Sequence, residues 1–212
     1  MKLLGRWLPL LRFRGSEAYW QKRYRLGGDS GAGSRGAAAV YKADVLNDFV
    51  ERHAVTDVIE FGCGDGQQLA LAHYPAYVGL DVSRHAVELC RERFAGDPSK
   101  RFAVLDEYGG ETADLALSLD VLFHLVEDEV YTDYLERLFG AARRFVVIYS
   151  TSVEADDAAA TLRHVRHRPV ERDVAERFQG FAPMTEWEAS VPEPVVHAGG
   201  VPTRFLGYRR AD

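Results

Sequence analysis

Apolar residues recur along this chain in two rhythms. Short runs at 57–61, 76–80, 101–105, 114–119 and 144–149 are apolar almost throughout and partly β-branched or aromatic, the mark of strands buried on both faces. Between them apolar positions fall three and four apart. Tyr41, Val45, Leu46, Phe49 and Val50 line one stripe of a helix over 37–53, and Val130, Tyr134, Leu135 and Leu138 line one that starts near Glu127. Two more helices are expected, from Gly66 and from Arg84, the second after an N-cap at Ser83. Strand, helix, strand at these lengths predicts an α/β fold, a doubly wound single domain with a mostly parallel sheet. Late strands at 184–190 and 204–209 would make the sheet seven-stranded and close it with an antiparallel hairpin.

Ahead of this pattern, Ser16 reads as the N-cap of a short helix through Arg25 that carries Tyr19, Trp20 and Tyr24. Residues 27–36 then hold five glycines in ten, too many for a helix or strand interior, and read as a mobile lid. The chain accordingly divides into a leader, helix and lid over 1–36 and a Rossmann-like domain over 37–212. At the very start, Lys2, Arg6, Arg12 and Arg14 alternate with Leu3, Leu4, Trp7, Leu8, Leu10, Leu11 and Phe13. Residues 1–15 are too short to span a bilayer, but suit peripheral contact with a membrane surface as well as a packed or frayed leader.

Composition narrows the partners. A net charge of −6 gives no general attraction for phosphate backbones, which argues against nucleic acid as the main partner. Cys63 and Cys90 are the only cysteines, too few for a disulfide framework or a cysteine zinc site, and they suit a reducing cytoplasm.

The chemistry gathers where the first strand ends. Val58-Ile59-Glu60-Phe61-Gly62-Cys63-Gly64-Asp65-Gly66 runs a strand into a turn whose glycines let backbone approach a ligand at the carboxyl edge of the sheet. A tight turn with no ligand is the plain alternative. Three features favour a ligand of a particular kind. A dinucleotide fingerprint would put its third glycine where Gln67 stands. Glu60 and Asp65 make the turn acidic, which repels a pyrophosphate and suits the sulfonium and ammonium of S-adenosylmethionine. Asp81, at the end of the second strand, stands where a carboxylate accepts hydrogen bonds from ribose hydroxyls, although helix capping would also employ it. Asp106, at the end of the third strand, is placed for an adenine amino group or for a plain turn.

These residues, with Leu117-Ser118-Leu119-Asp120-Val121-Leu122-Phe123-His124-Leu125 on the fourth strand, resemble the class I S-adenosylmethionine-dependent methyltransferase family over about residues 40 to 150. The resemblance implies that Glu60, Gly62, Cys63 and Gly64 meet the methionine half of the cofactor. It places Asp81 and Val82 at the ribose, Asp106 at the adenine, and Ser118, Leu119 and Asp120 along its open side. The whole chain also looks like small bacterial methyltransferases of glycan or glycolipid modification, through Tyr19-Trp20, 28–36, 117–128 and 164–168. That narrower resemblance implies O-methylation of a hydroxyl on a glycan or small-molecule acceptor.

Removal of a hydroxyl proton calls for a base near the fourth strand, and His124 has the position and the unperturbed pKa, though a satisfied structural histidine would fit there too. Asp120, His124, Glu127 and Asp128 could instead gather a divalent cation, a less favoured reading because acidic residues also suit a helix start. Tyr19 and Tyr24 are expected to wall the acceptor. His164, Arg166, His167 and Arg168 are expected to bind it, an anionic group above all, unless they are a solvated loop paired with Glu171 and Asp173. Two other readings stay open, a nicotinamide-dependent oxidoreductase and a non-catalytic cofactor-binding domain.

Overall fold

The computed structural model describes residues 15–153, 164–192 and 201–211, so residues 1–14, with their expected membrane contact, lie outside it. Its centre is one sheet of seven strands: β1 Val58–Phe61, β2 Tyr77–Asp81, β3 Lys100–Val104, β4 Ala113–Leu119, β5 Ala142–Thr151, β6 Phe181–Pro183 and β7 Thr203–Arg210. Their order across the sheet is β3-β2-β1-β4-β5-β7-β6. Neighbours from β3 to β5 are parallel, while β7 runs antiparallel to both β5 and β6. The doubly wound sheet with its late antiparallel pair is therefore as expected.

Strand residues alternate between two apolar layers because successive side chains point to opposite faces. On β1, Val58 packs into one layer with Val45, Leu46 and Phe49 of helix α2 (Gly36–Arg52) and Val87 of α3 (Arg84–Arg93). Ile59 and Phe61 point into the other, with Tyr134, Leu135 and Leu138 of α4 (Asp128–Ala141) and Val170 and Val174 of α5 (Val170–Arg177). The side chain of Ser83 caps α3, accepting from the Ala86 amide at 3.3 Å.

Three expectations are corrected. No α-helix opens at Gly66. That glycine has φ +74°, and Leu69–Leu71 form a single 3-10 turn before Pro75 stops any continuation. The span 184–190 is not a strand either, since Thr185–Ser190 form helix α6. Met184, Trp187 and Val191 all pack against the core at helical spacing, and Trp187 lies so close to Gly207 that a Cβ there would stand 2.6 Å from its ring. Ser16 is the first residue of helix α1 (Ser16–Arg25) rather than its cap, and the capping group is Glu127, 111 residues away. Its carboxylate accepts from the Ser16 amide at 2.8 Å and the Ser16 hydroxyl at 2.6 Å. No helix among the described residues is long and apolar enough to cross a membrane.

Candidate active site

A cavity of about 250 Å³ opens at the carboxyl ends of β1, β2 and β4. Its floor is the glycine turn. Gly62, Gly64 and Gly66 all have positive φ, a region that L side chains enter only at a cost. A Cβ on Gly62 would stand 2.5 Å from Val121, and one on Gly64 2.3 Å from Ser30 Oγ. The turn is thus as tight on its own loops as the sequence suggested.

Helix α1 and the glycine-rich loop form the roof. Ser16, Glu17, Trp20 and Tyr24 line the cavity from α1, and Ser30 and Ser34 from the loop. The loop is folded down on the turn rather than open. Ser30 Oγ accepts from the Asp65 amide at 3.0 Å and lies 2.9 Å from the Tyr24 hydroxyl, while Asp29 pairs with Arg23 and Arg35. Tyr24 therefore stands over the glycine turn. Tyr19 does not line the cavity, and stacks on His164 at 4.5 Å between ring centroids.

Most of the expected cofactor residues converge here: Glu60, Gly62, Cys63, Gly64, Asp81, Val82, Asp106, Leu119 and Asp120 all line the cavity. Ser118 does not. Its fully buried hydroxyl meets Tyr134 at 2.7 Å, and the Tyr134 hydroxyl also donates to the Phe61 carbonyl, joining β1 and β4 beneath the floor. Asp81 does not cap α3, a task that falls to Ser83. One of its oxygens accepts from the Gly64 amide at 3.0 Å and the other from the Ser83 amide at 2.8 Å, which aims the carboxylate. Carboxylate oxygens each accept more than one hydrogen bond, so capacity for hydroxyl donors remains. Burial pushes Asp81 up to about 6, against the pull of those two amides. Glu60 accepts from the Tyr77 hydroxyl at 2.6 Å and is pushed up to about 7, again by burial, with Tyr77 and Lys42 opposing.

The residue missed by sequence reading is Lys42. It is 1% exposed on α2, lines the cavity, and donates to Asp120 at 2.5 Å with its ammonium 5.3 Å from the Tyr149 ring. Asp120 has φ +58°, a strained conformation for this residue that its buried partner helps to hold. A lysine on the apolar stripe of α2, between Tyr41 and Val45, was the available signal. Gln68 was also missed. It lines the cavity, its amide donates to the Ala39 carbonyl, and its carbonyl oxygen is buried without a partner.

His124 follows β4 and lines the cavity beside Trp20, their ring centroids 4.9 Å apart. Its Nδ1 lies 3.0 Å from the His164 carbonyl, so Nδ1 carries the proton and Nε2 presents a lone pair. Burial lowers its pKa to about 4, although the carbonyl contact raises it, so the ring is neutral at neutral pH.

The basic stretch behaves differently from expectation. His164, Arg166, His167 and Arg168 do not line the cavity. Arg166 and Arg168 instead donate to backbone carbonyls of the loop after His124 and to Asp128, and His167 Nδ1 lies 2.8 Å from Thr151 Oγ1. Nor are Asp120, His124, Glu127 and Asp128 gathered for a cation. The three carboxylates are bound to Lys42, to Ser16 and to the two arginines respectively, and among the described residues no group of metal-ligating side chains is found.

Comparison with known proteins agrees with this geometry. Residues 59–147 match the family described as a methyltransferase domain. The N-methyltransferase NodS from Bradyrhizobium japonicum WM9, solved with S-adenosylhomocysteine, is similar at 14% identity and TM-score 0.67 over 93% of this chain and 100% of that one. Magnesium protoporphyrin IX methyltransferase from Synechocystis PCC 6803, also solved with S-adenosylhomocysteine, is similar at 16% identity and TM-score 0.63 over 92% of this chain and 98% of that one. No curated protein sequence matches the chain. Residues 59–147 thus match a methyltransferase-domain family, and the chain shares its fold with these two methyltransferases.

Proposed function

We propose that the protein is an S-adenosylmethionine-dependent methyltransferase that methylates a hydroxyl of a sugar, glycolipid or other small acceptor. The observation that carries the cofactor reading is the cavity floor, where the glycine turn meets two buried carboxylates, Glu60 and Asp81. Ammonium and hydroxyl groups are donors, and these carboxylates are acceptors with burial to strengthen them. The unpartnered Gln68 oxygen adds a further acceptor to the same wall. A pyrophosphate is disfavoured by the same acids, and by the want of a helix N-terminus at Gly66 to receive it. This argues against a nicotinamide cofactor.

When bound, the cofactor supplies an electrophilic methyl group on a sulfonium. Asp81 would hold the ribose hydroxyls and Glu60 the methionine ammonium, while Asp106 borders the adenine end. The Lys42 ammonium holds Asp120 against the open side. With an acceptor hydroxyl held in the cavity, Nε2 of His124 would take the proton released as the methyl group is transferred. A ring with a depressed pKa is a weak base but is unprotonated at every neutral pH. It suffices when the proton leaves late, because an oxygen that has gained a methyl group is strongly acidic.

Methyl-labelled S-adenosylmethionine, incubated with the protein and fractionated glycan, lipid and polar extracts, tests the acceptor. The reading expects label in a base-stable ether of a non-protein fraction. Label in a base-labile ester, in an amine or in nucleic acid would refute it.

A further inference from the structure

The arginines that were expected to bind the acceptor have another task. Arg168 is 5% exposed, and its guanidinium is used on every side. Nε and Nη2 donate to the Leu125 carbonyl at 3.3 and 3.2 Å, Nη2 also reaches the Val126 carbonyl at 3.1 Å, and Nη1 donates to Asp128 at 2.7 Å. Its carbon lies 4.3 Å from the centre of the Tyr131 ring. All these partners belong to the loop and first helical turn directly after His124. The same chain segment touches His124 itself. The His164 carbonyl faces Nδ1, and the Arg166 amide donates to the Phe123 carbonyl at 2.8 Å.

From this geometry we infer that Arg168 is a positioning residue for the reaction: it clasps the Leu125–Val126 backbone so that His124 keeps its Nδ1 against the His164 carbonyl and its Nε2 toward the cavity. A planar fork is required for the task. Two adjacent carbonyls and a carboxylate are met by one rigid group, which a lysine ammonium on a flexible stem cannot reproduce. The Val126 carbonyl would keep Arg166 as a donor, but the Leu125 carbonyl, left buried without one, would turn toward water, and the turn that carries His124 would follow. The proposal rests on the reading of His124 as the base. Its test is chosen to stand apart from turnover.

The test is the titration of the His124 ring, followed by NMR in the full chain, in the wild type, Arg168→Lys and Arg168→Met. His164, Asp120 and Arg23 are the charged or titratable neighbours that also act on this ring, and all three stay in place. In the wild type the ring should titrate near 4. In both variants it should move by at least one unit toward its ordinary 6.5, while S-adenosylhomocysteine affinity changes less than about twofold, because Arg168 is outside the cavity. Leu138→Ala, a core change on the same helix, is the control for general loosening. An unshifted His124 in a folded Arg168→Lys protein would overturn the proposal, and so would an equal shift in Leu138→Ala. Failure of the base itself shows separately, as full turnover in His124→Asn.

Discussion

Raising the pH from about 5.5 to about 8 should tighten cofactor binding roughly 100-fold, because two buried carboxylates must lose protons to act as acceptors. Without ligand, Glu60 titrates at about 7 and Asp81 at about 6, both raised by burial. At pH ~5.5, roughly 3% of Glu60 and 24% of Asp81 would be ionised, so little of the protein would be ready to bind. At pH ~8 nearly all of it would be. The ribose hydroxyls do not titrate in this range, and an α-ammonium does so only toward its upper end. Near pH 6.5, binding should release about one proton, which calorimetry in buffers of different ionisation enthalpy reads directly. The sign for stability is the reverse. A carboxyl raised in the folded state stabilises it below the unfolded pKa, and that contribution fades as pH rises through the folded value. The ligand-free protein should therefore lose the contribution of these two groups between about pH 4 and 7, while the stabilisation added by ligand grows. An affinity that is flat from pH ~5.5 to ~8, or proton uptake on binding, would refute the assignment of Glu60 and Asp81 as acceptors.

Asp81→Ala should weaken cofactor binding by about 1.5–3 kcal/mol in a folded protein, read by isothermal titration; an unchanged affinity would leave that carboxylate with only its Gly64 and Ser83 amides. Lys42→Met should cost about 3 kcal/mol in urea unfolding, the low end for breaking a buried pair since Asp120 is 18% exposed, and no loss would mean the pair is not felt. His124→Asn should lower kcat about 10²–10⁴-fold with cofactor affinity kept. Because burial holds His124 near 4, the wild-type kcat at saturating cofactor should show no titration at 6.5, and one there would place the ring in water. That depressed pKa also means stability is full above about 6.5 and falls as pH drops toward 4.

The sheet and the cofactor floor were legible because both depend on local signals. The apolar runs of β1, β2, β4 and β5 and the glycines of the turn carry their conformation in their own residue types. Asp81 was found by spacing, since the turn and the second strand are joined by a fixed length of chain. The His124 side of the cavity was less legible because it is built from distant segments. Nothing near Ser16 shows that Glu127 caps it, and nothing near Arg168 shows that its partners are the carbonyls of Leu125 and Val126. A charged stretch looks the same in sequence whether it meets solvent, ligand or backbone. Lys42 illustrates the opposite case, a charge on an apolar stripe whose placement alone pointed to a buried partner. The strand expected at 184–190 passed over the helical spacing of Trp187, whose companions Met184 and Val191 lie three and four residues away.

The most direct measurement is calorimetric titration of the whole chain with S-adenosylhomocysteine, S-adenosylmethionine and NAD side by side. The cavity floor predicts one site for each of the sulfur compounds and none for NAD, with binding weakened in Asp81→Ala. Binding of NAD in that site with no heat from either sulfur compound would contradict the account.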